Sequence, residues 1–126
     1  MKTAHDLVAE AKQLTQEIAL QDAEAAIAAA DVLLDVREPD EYAMDHLAGS
    51  VLMPRGVLEF KLSATPALLA RDLKVVIYCK TSGRAALAAQ TMKTMGYLNV
   101  CSIAGGMDAW QAAGKPLITP EQPSFD

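Results

Sequence analysis

Short apolar runs at 32–36, 51–53, 75–78 and 100–103, alternating with helical spacing, constrain this 126-residue chain more than anything else in it. Runs that are apolar on both faces belong to strands buried on both faces. That pattern predicts an α/β fold, a parallel sheet covered by helices on each side. Leu7, Ala11, Leu14 and Ile18 recur at helical spacing, so an amphipathic helix is expected over about 3–16. Ile18-Ala19-Leu20 fits the opening of a short strand equally well. Asp22 suits the N-cap of a helix through Ala30, and Pro39 the first position of a short helix to about Met44. Thr65-Pro66 has the same cap-then-proline form and predicts a turn or two through Ala70. Ala85, Ala88, Met92 and Met95 then share one helix face, stopped by Gly96 as a left-handed cap. Gly105-Gly106 turns the chain into a last helix carrying Met107 and Trp110, ended by Gly114 and Pro116.

One domain of this length buries a core without disulfides or a structural metal. The 52% apolar content is a globular share, and a net charge of −5 argues against a nucleic-acid partner, which needs a basic face. No apolar stretch reaches the roughly 20 residues of a membrane span, so no membrane partner is expected. Met1 to Asp6 turns acidic at once and precedes no apolar signal core, which argues against secretion and for a cytoplasmic setting. The two cysteines, Cys79 and Cys101, form neither a disulfide framework nor a Cys-x-x-Cys motif, and both are expected as thiols. With His5 and His46 the only histidines, no metal cluster is legible.

The hexapeptide Cys79-Lys80-Thr81-Ser82-Gly83-Arg84 joins the run at 75–78 to the alanine-rich helix. A cysteine at such a junction faces the unpaired N–H groups of a helix start, which together with the helix dipole favour a thiolate. A nucleophile and an anion cradle then share one turn, with the thiol open to water and the amides directed at it. The bland alternative is a buried structural thiol. Ligands bind such sheets beyond the carboxyl ends of the strands. Arg37 and Arg55 follow two of those ends, and Lys80 and Arg84 a third, so an acidic chain gathers four cations on one rim. Ala104-Gly105-Gly106 leaves space there for close backbone approach. A small anionic ligand beside Cys79 is the expectation.

Five segments in order resemble the rhodanese domain family. Leu33-Leu34-Asp35-Val36-Arg37-Glu38 resembles its Asp-Val-Arg-Glu strand end, and His46-Leu47-Ala48-Gly49-Ser50 its His-Ile-x-Gly-Ala turn. Residues 54–60, from Pro54 to Phe60, match a segment of some single-domain members. Tyr78-Cys79 with Gly83-Arg84 resembles the active-site loop, and residues 104–110 its Gly-Gly-x-x-Ala-Trp closing motif. The resemblance implies a five-stranded parallel sheet flanked by helices, with residues 17–126 as one rhodanese domain and 1–16 as an extra N-terminal helix packed on it. It implies transfer of a sulfane sulfur from a donor such as thiosulfate, a persulfide or a polysulfide, through a persulfide on Cys79, to cyanide, a small thiol or a thiol-bearing protein. Backbone N–H groups from Lys80, Thr81, Ser82, Gly83 and Arg84 would hold the negative sulfur, with the Lys80 and Arg84 side chains clamping the donor and no cofactor required. Asp35, Arg37 and Arg55 are supporting candidates. Asp35 either braces the loop or caps its own strand end, and Arg37 either faces substrate or pairs with Glu38 or Glu41.

Ser82 stands where many members carry glycine, Asp45 where a glycine usually precedes the histidine, and Leu52 where asparagine is common. Phosphatases and arsenate reductases that resemble the family hold an oxyanion in a Cys-x5-Arg loop. Here four residues separate Cys79 from Arg84, a ring sized for one sulfur atom rather than a phosphate group. A non-catalytic or relay module, handing persulfide sulfur to a protein, is the other reading. Cys101 is expected in the core, His46 in a structural hydrogen bond, His5 in solvent, and the charges of the first helix on a solvated face.

Overall fold

The computed structural model describes residues 1–121, so the expected domain end at 126 lies outside the described residues. Thr3 opens α1 (Ala4–Leu14) through a capping box: its hydroxyl accepts the Asp6 N–H at 3.2 Å while the Asp6 carboxylate accepts the Thr3 N–H at 2.9 Å. The chain then turns extended at Thr15, and β1 (Gln16–Ile18) forms two residues before the strand opening expected at Ile18-Ala19-Leu20, sharing only Ile18 with it. The next helix, α2 (Leu20–Ala29), starts before the predicted cap. Ala19 is the N-cap, and Asp22 sits in the first turn, where a carboxylate complements the helix dipole.

Strand β2 (Val32–Asp35) leads to α3 (Pro39–Met44), which Pro39 opens as its spacing predicts, and then to β3 (Val51–Leu52). Sequence periodicity missed α4 (Leu58–Ala64), whose two turns bury Leu58 and Leu62. Thr65 does not cap a helix. Its hydroxyl donates back to the Lys61 carbonyl at 2.6 Å, and Pro66–Leu68 forms a single 3-10 turn in place of a helix through Ala70. The remaining elements are β4 (Lys74–Tyr78), α5 (Gly83–Thr94), β5 (Asn99–Ile103) and α6 (Gly106–Ala112). Past α5, Gly96 takes φ of 97°, the left-handed conformation expected of it.

All pairings in the five-stranded sheet are parallel, in the order β1-β5-β4-β2-β3, so β4 is the central strand. On one face Leu34, Val75 and Ile77 pack beneath Ala85, Ala88, Ala89 and Met92 of α5. On the other, Leu33, Val76 and Ile103 meet Ala23, Met107 and Trp110. The Trp110 indole N–H is satisfied by the Pro116 carbonyl at 2.9 Å. The extra helix α1 lies along α5, where the Lys93 ammonium donates to the Leu14 carbonyl at 2.8 Å. Among the described residues no helix is long and apolar enough to cross a membrane.

Candidate active site

Cys79 follows the last residue of the central strand and so stands at the carboxyl edge of the sheet, with α5 beginning four residues later. Its Sγ accepts a hydrogen bond from the Ala85 N–H at 3.4 Å. The five backbone N–H groups from Lys80 to Arg84 have no hydrogen-bond partner among the described residues, the free donors that a helix start presents. Two carbonyls of the loop are tied down instead. The oxygen of Cys79 accepts from the Met107 N–H at 2.8 Å and that of Lys80 from the Asp108 N–H at 3.0 Å. This close approach of α6 requires Gly106: a Cβ there, at φ of 54°, would lie 2.4 Å from the oxygens of both Cys79 and Thr81. Gly106 thus provides the close backbone approach expected of the glycine-rich turn, while a Cβ at Gly105 would meet the Ala109 side chain of α6 itself.

The thiol itself is not open to water. Cys79 is 1% exposed and belongs to the apolar cluster that contains Ala85 and Ala88, which corrects the expected accessible nucleophile. The helix at the N-terminus reaches the same loop. The Lys12 ammonium donates to the Ser82 hydroxyl at 2.8 Å, and Val8 Cγ2 lies 3.4 Å from where a side chain at Gly83 would begin. Lys12 is nonetheless exposed, as expected of a charge on the solvated face of α1. Sequence reasoning missed Lys12 because nothing along the chain links it to a residue seventy positions away.

Each of the four rim cations meets a carboxylate of its own chain. Arg84 grips Glu41 through two hydrogen bonds of 2.6 and 3.0 Å, a bidentate fork. That hydrogen bond pulls the Glu41 carboxyl down to about 2 and raises Arg84. Lys80 holds both oxygens of Asp108, at 3.0 and 2.9 Å. Arg55 pairs with Glu59 at 3.2 Å and donates to the Thr91 hydroxyl at 3.0 Å. Arg37, 4% exposed, does not pair with Glu38 or Glu41 as its spacing suggested; it reaches Asp35 at 2.7 Å and Asp45 at 3.6 Å. Burial opposes its charge, but hydrogen bonding and attraction from Asp35 outweigh that and raise it. Asp35 also accepts the Arg37 backbone N–H at 2.9 Å, so it caps its own strand end. In the sequence Asp108 carries no signal beyond its place in the closing motif, and Glu41 is legible only as a candidate partner of Arg37.

His46 is structural: Nδ1 lies 3.0 Å from the Tyr42 carbonyl and the two rings stack at 3.8 Å. His5 is exposed, as expected. Cys101 is only half-buried rather than a core residue, and burial pushes its thiol up. It lines a hollow with Gln16, Leu98 and Val100 near the amino end of β5, away from the loop.

The rhodanese-like domain family matches over residues 19–113. A sulfurtransferase of Allochromatium vinosum is 34% identical over 92 residues, covering 72% of this chain and 82% of its own. Among solved structures, a protein of unknown function and possible tyrosine phosphatase from Rhodopseudomonas palustris superposes with a TM-score of 0.84 at 31% identity, covering 94% of this chain and 96% of its own. The polysulfide-sulfur transferase homodimer of Wolinella succinogenes gives 0.75 at 34% identity, covering 90% of this chain and 85% of its own.

Proposed function

Because this chain belongs to the rhodanese-like domain family, we propose that it moves a sulfane sulfur from thiosulfate, a persulfide or a polysulfide to a thiol or cyanide through a persulfide on Cys79. The observation that carries this reading is a cysteine beyond the central strand, followed by five backbone N–H groups with no partner among the described residues. On this reading those amides, next to the Ala85 N–H already on Sγ at 3.4 Å, supply donors for the negative terminal sulfur of a Cys79 persulfide, as an oxyanion hole serves oxygen. In the first half-reaction the Cys79 thiolate attacks the outer sulfur of the donor. The donor S–S bond breaks, and its electron pair leaves on sulfite or on a thiol. An acceptor thiolate then takes the sulfur from Cys79 and restores the enzyme.

The four residues between Cys79 and Arg84 favour a single sulfur over a phosphate group, and a reducing, cytoplasmic setting keeps the thiol available. The test is intact-mass measurement after exposure to sulfur-34-labelled donors. A labelled adduct about 34 Da heavier than the thiol form, on Cys79 and removed by a small thiol, is expected. Cys79→Ala abolishes it in a folded domain, while Cys101→Ala leaves transfer nearly intact. Hydrolysis of phosphate esters, with no sulfur adduct, would reverse the assignment.

A further inference from the structure

We infer that Glu41 and Asp108 select the sulfur donor, holding Arg84 and Lys80 in internal pairs so that the loop favours thiol-bound persulfides over the thiosulfate dianion. The inference rests on the sulfur-transfer reading above and narrows its donor class. A site built to capture a dianion presents cations whose charge is free for the ligand. Here both guanidinium nitrogens that Arg84 directs at Glu41 are engaged, and the Lys80 ammonium is held by both Asp108 oxygens. All four side chains are partly open to water, with side-chain exposures of 34% and 26% for Arg84 and Glu41 and 58% and 50% for Lys80 and Asp108, so an approaching anion meets neutralised pairs rather than free cations. The Arg84 hydrogen bond holds the Glu41 carboxyl down at about 2, so it stays ionised on the arginine at physiological pH.

Charge bookkeeping separates the two donor classes. Thiosulfate brings two negative charges to the Cys79 thiolate and expels sulfite, itself a dianion, beside Glu41 and Asp108. With a persulfide R–S–SH, the thiolate forms its bond to the terminal sulfur while the donor's S–S bond breaks. The departing sulfur keeps the electron pair and takes the proton, so R–SH leaves neutral and one negative charge stays on the Cys79 persulfide. That charge rests among the loop amides, without calling on either paired cation. The paired cations cost thiosulfate recognition and leave the persulfide route nearly untouched.

Glu41→Gln is the direct probe. Its amide oxygen still accepts the Glu38 N–H that caps α3, at 3.0 Å in the native protein, while the charge that occupies Arg84 is gone. Asp108→Asn frees Lys80 and keeps the backbone tie between α6 and the loop, which uses the Asp108 N–H. The measurement is the rate of Cys79 persulfide formation from thiosulfate and from 2-hydroxyethyl persulfide, together with inhibition by sulfate. Intrinsic donor reactivities differ, so the change in the ratio is decisive. Removing one carboxylate charge near a dianion is expected to raise the thiosulfate-to-persulfide ratio about tenfold and to tighten sulfate inhibition, a readout that a purely structural role would not move. A ratio and sulfate inhibition unchanged in both folded variants would overturn the inference. Should Glu41→Gln not fold, Asp108→Asn alone decides. No adduct from either donor in the native protein would strike down the sulfur-transfer reading itself.

Discussion

At the scale of single residues, the loop depends on what Gly106 lacks. The α6 N-terminus comes close enough to accept no side chain beneath Cys79 and Thr81, and the same approach satisfies the Cys79 and Lys80 carbonyls. Gly106→Ala places a methyl group 2.4 Å from two backbone oxygens at positive φ, so the loop must move or the helix must retreat. Overpacking and a strained backbone each cost about 1–3 kcal/mol. The expected outcome is a lower denaturant midpoint together with a loss of Cys79 persulfide formation larger than Ala substitutions elsewhere in α6 produce. Equal stability and activity to the native protein would mean that the loop tolerates a different path. Asp35 and Arg37 make the complementary point. Their buried pair fixes the end of β2, with the Arg37 guanidinium donating to both Asp35 oxygens and to the Asp45 carbonyl.

At the scale of elements, the inner strands β2 and β4 were legible because burial on both faces leaves apolar runs, with 75–78 within one residue of β4 (Lys74–Tyr78). The edge strand β1 carries exposed Gln16 and Glu17 and leaves no such run. Helix α4 was not legible, because two turns with Leu58 and Leu62 inward give too few repeats to establish a period. The Thr65-Pro66 signal was read correctly as a turn and overextended as a helix, since the hydroxyl had a nearer acceptor in Lys61. The cations beyond the strands were legible by position. Their carboxylate partners were not, because Glu41 and Arg84 are forty-three residues apart and only the fold brings them together. Helix α1 has a role that sequence left blank. Its Lys12 holds Ser82 and its Val8 faces Gly83, both in the loop that follows a thiol only 1% exposed. Lys12→Met keeps the stem packed and removes the hydrogen bond. Alkylation of Cys79 by iodoacetamide, followed by mass in a Cys101→Ala background, is expected to run several-fold faster in that variant. An unchanged rate would show that α1 does not restrain the loop.

For the whole molecule, three groups set a pH window. The Arg84 hydrogen bond lowers folded Glu41 from 4.5 to about 2, so the folded state holds this carboxylate ionised where the unfolded chain takes up a proton. A depressed carboxyl contributes stability that is complete above about pH 5 and is lost as pH falls through the folded value near 2. Cys101 and Tyr78 work at the other end. Burial raises both, so the folded protein keeps protons that the unfolded chain gives up, starting near 9 for the thiol and 10 for the phenol. Their contribution is present below those values and falls as pH rises past them. Stability is therefore expected to be level between about pH 5 and 9 from these groups, with Glu41 steepening the acid side. Urea midpoints measured from pH 2 to 10 on the native protein and Glu41→Gln test this. The gap between the two is expected to be constant from pH 6 to 8 and to close as pH falls from about 5 toward 2, because glutamine has no proton to take up. A gap that stays constant down to pH 2 would mean that the Arg84 pair does not contribute through the Glu41 charge, and the occupied-cation picture of the loop would lose its electrostatic basis.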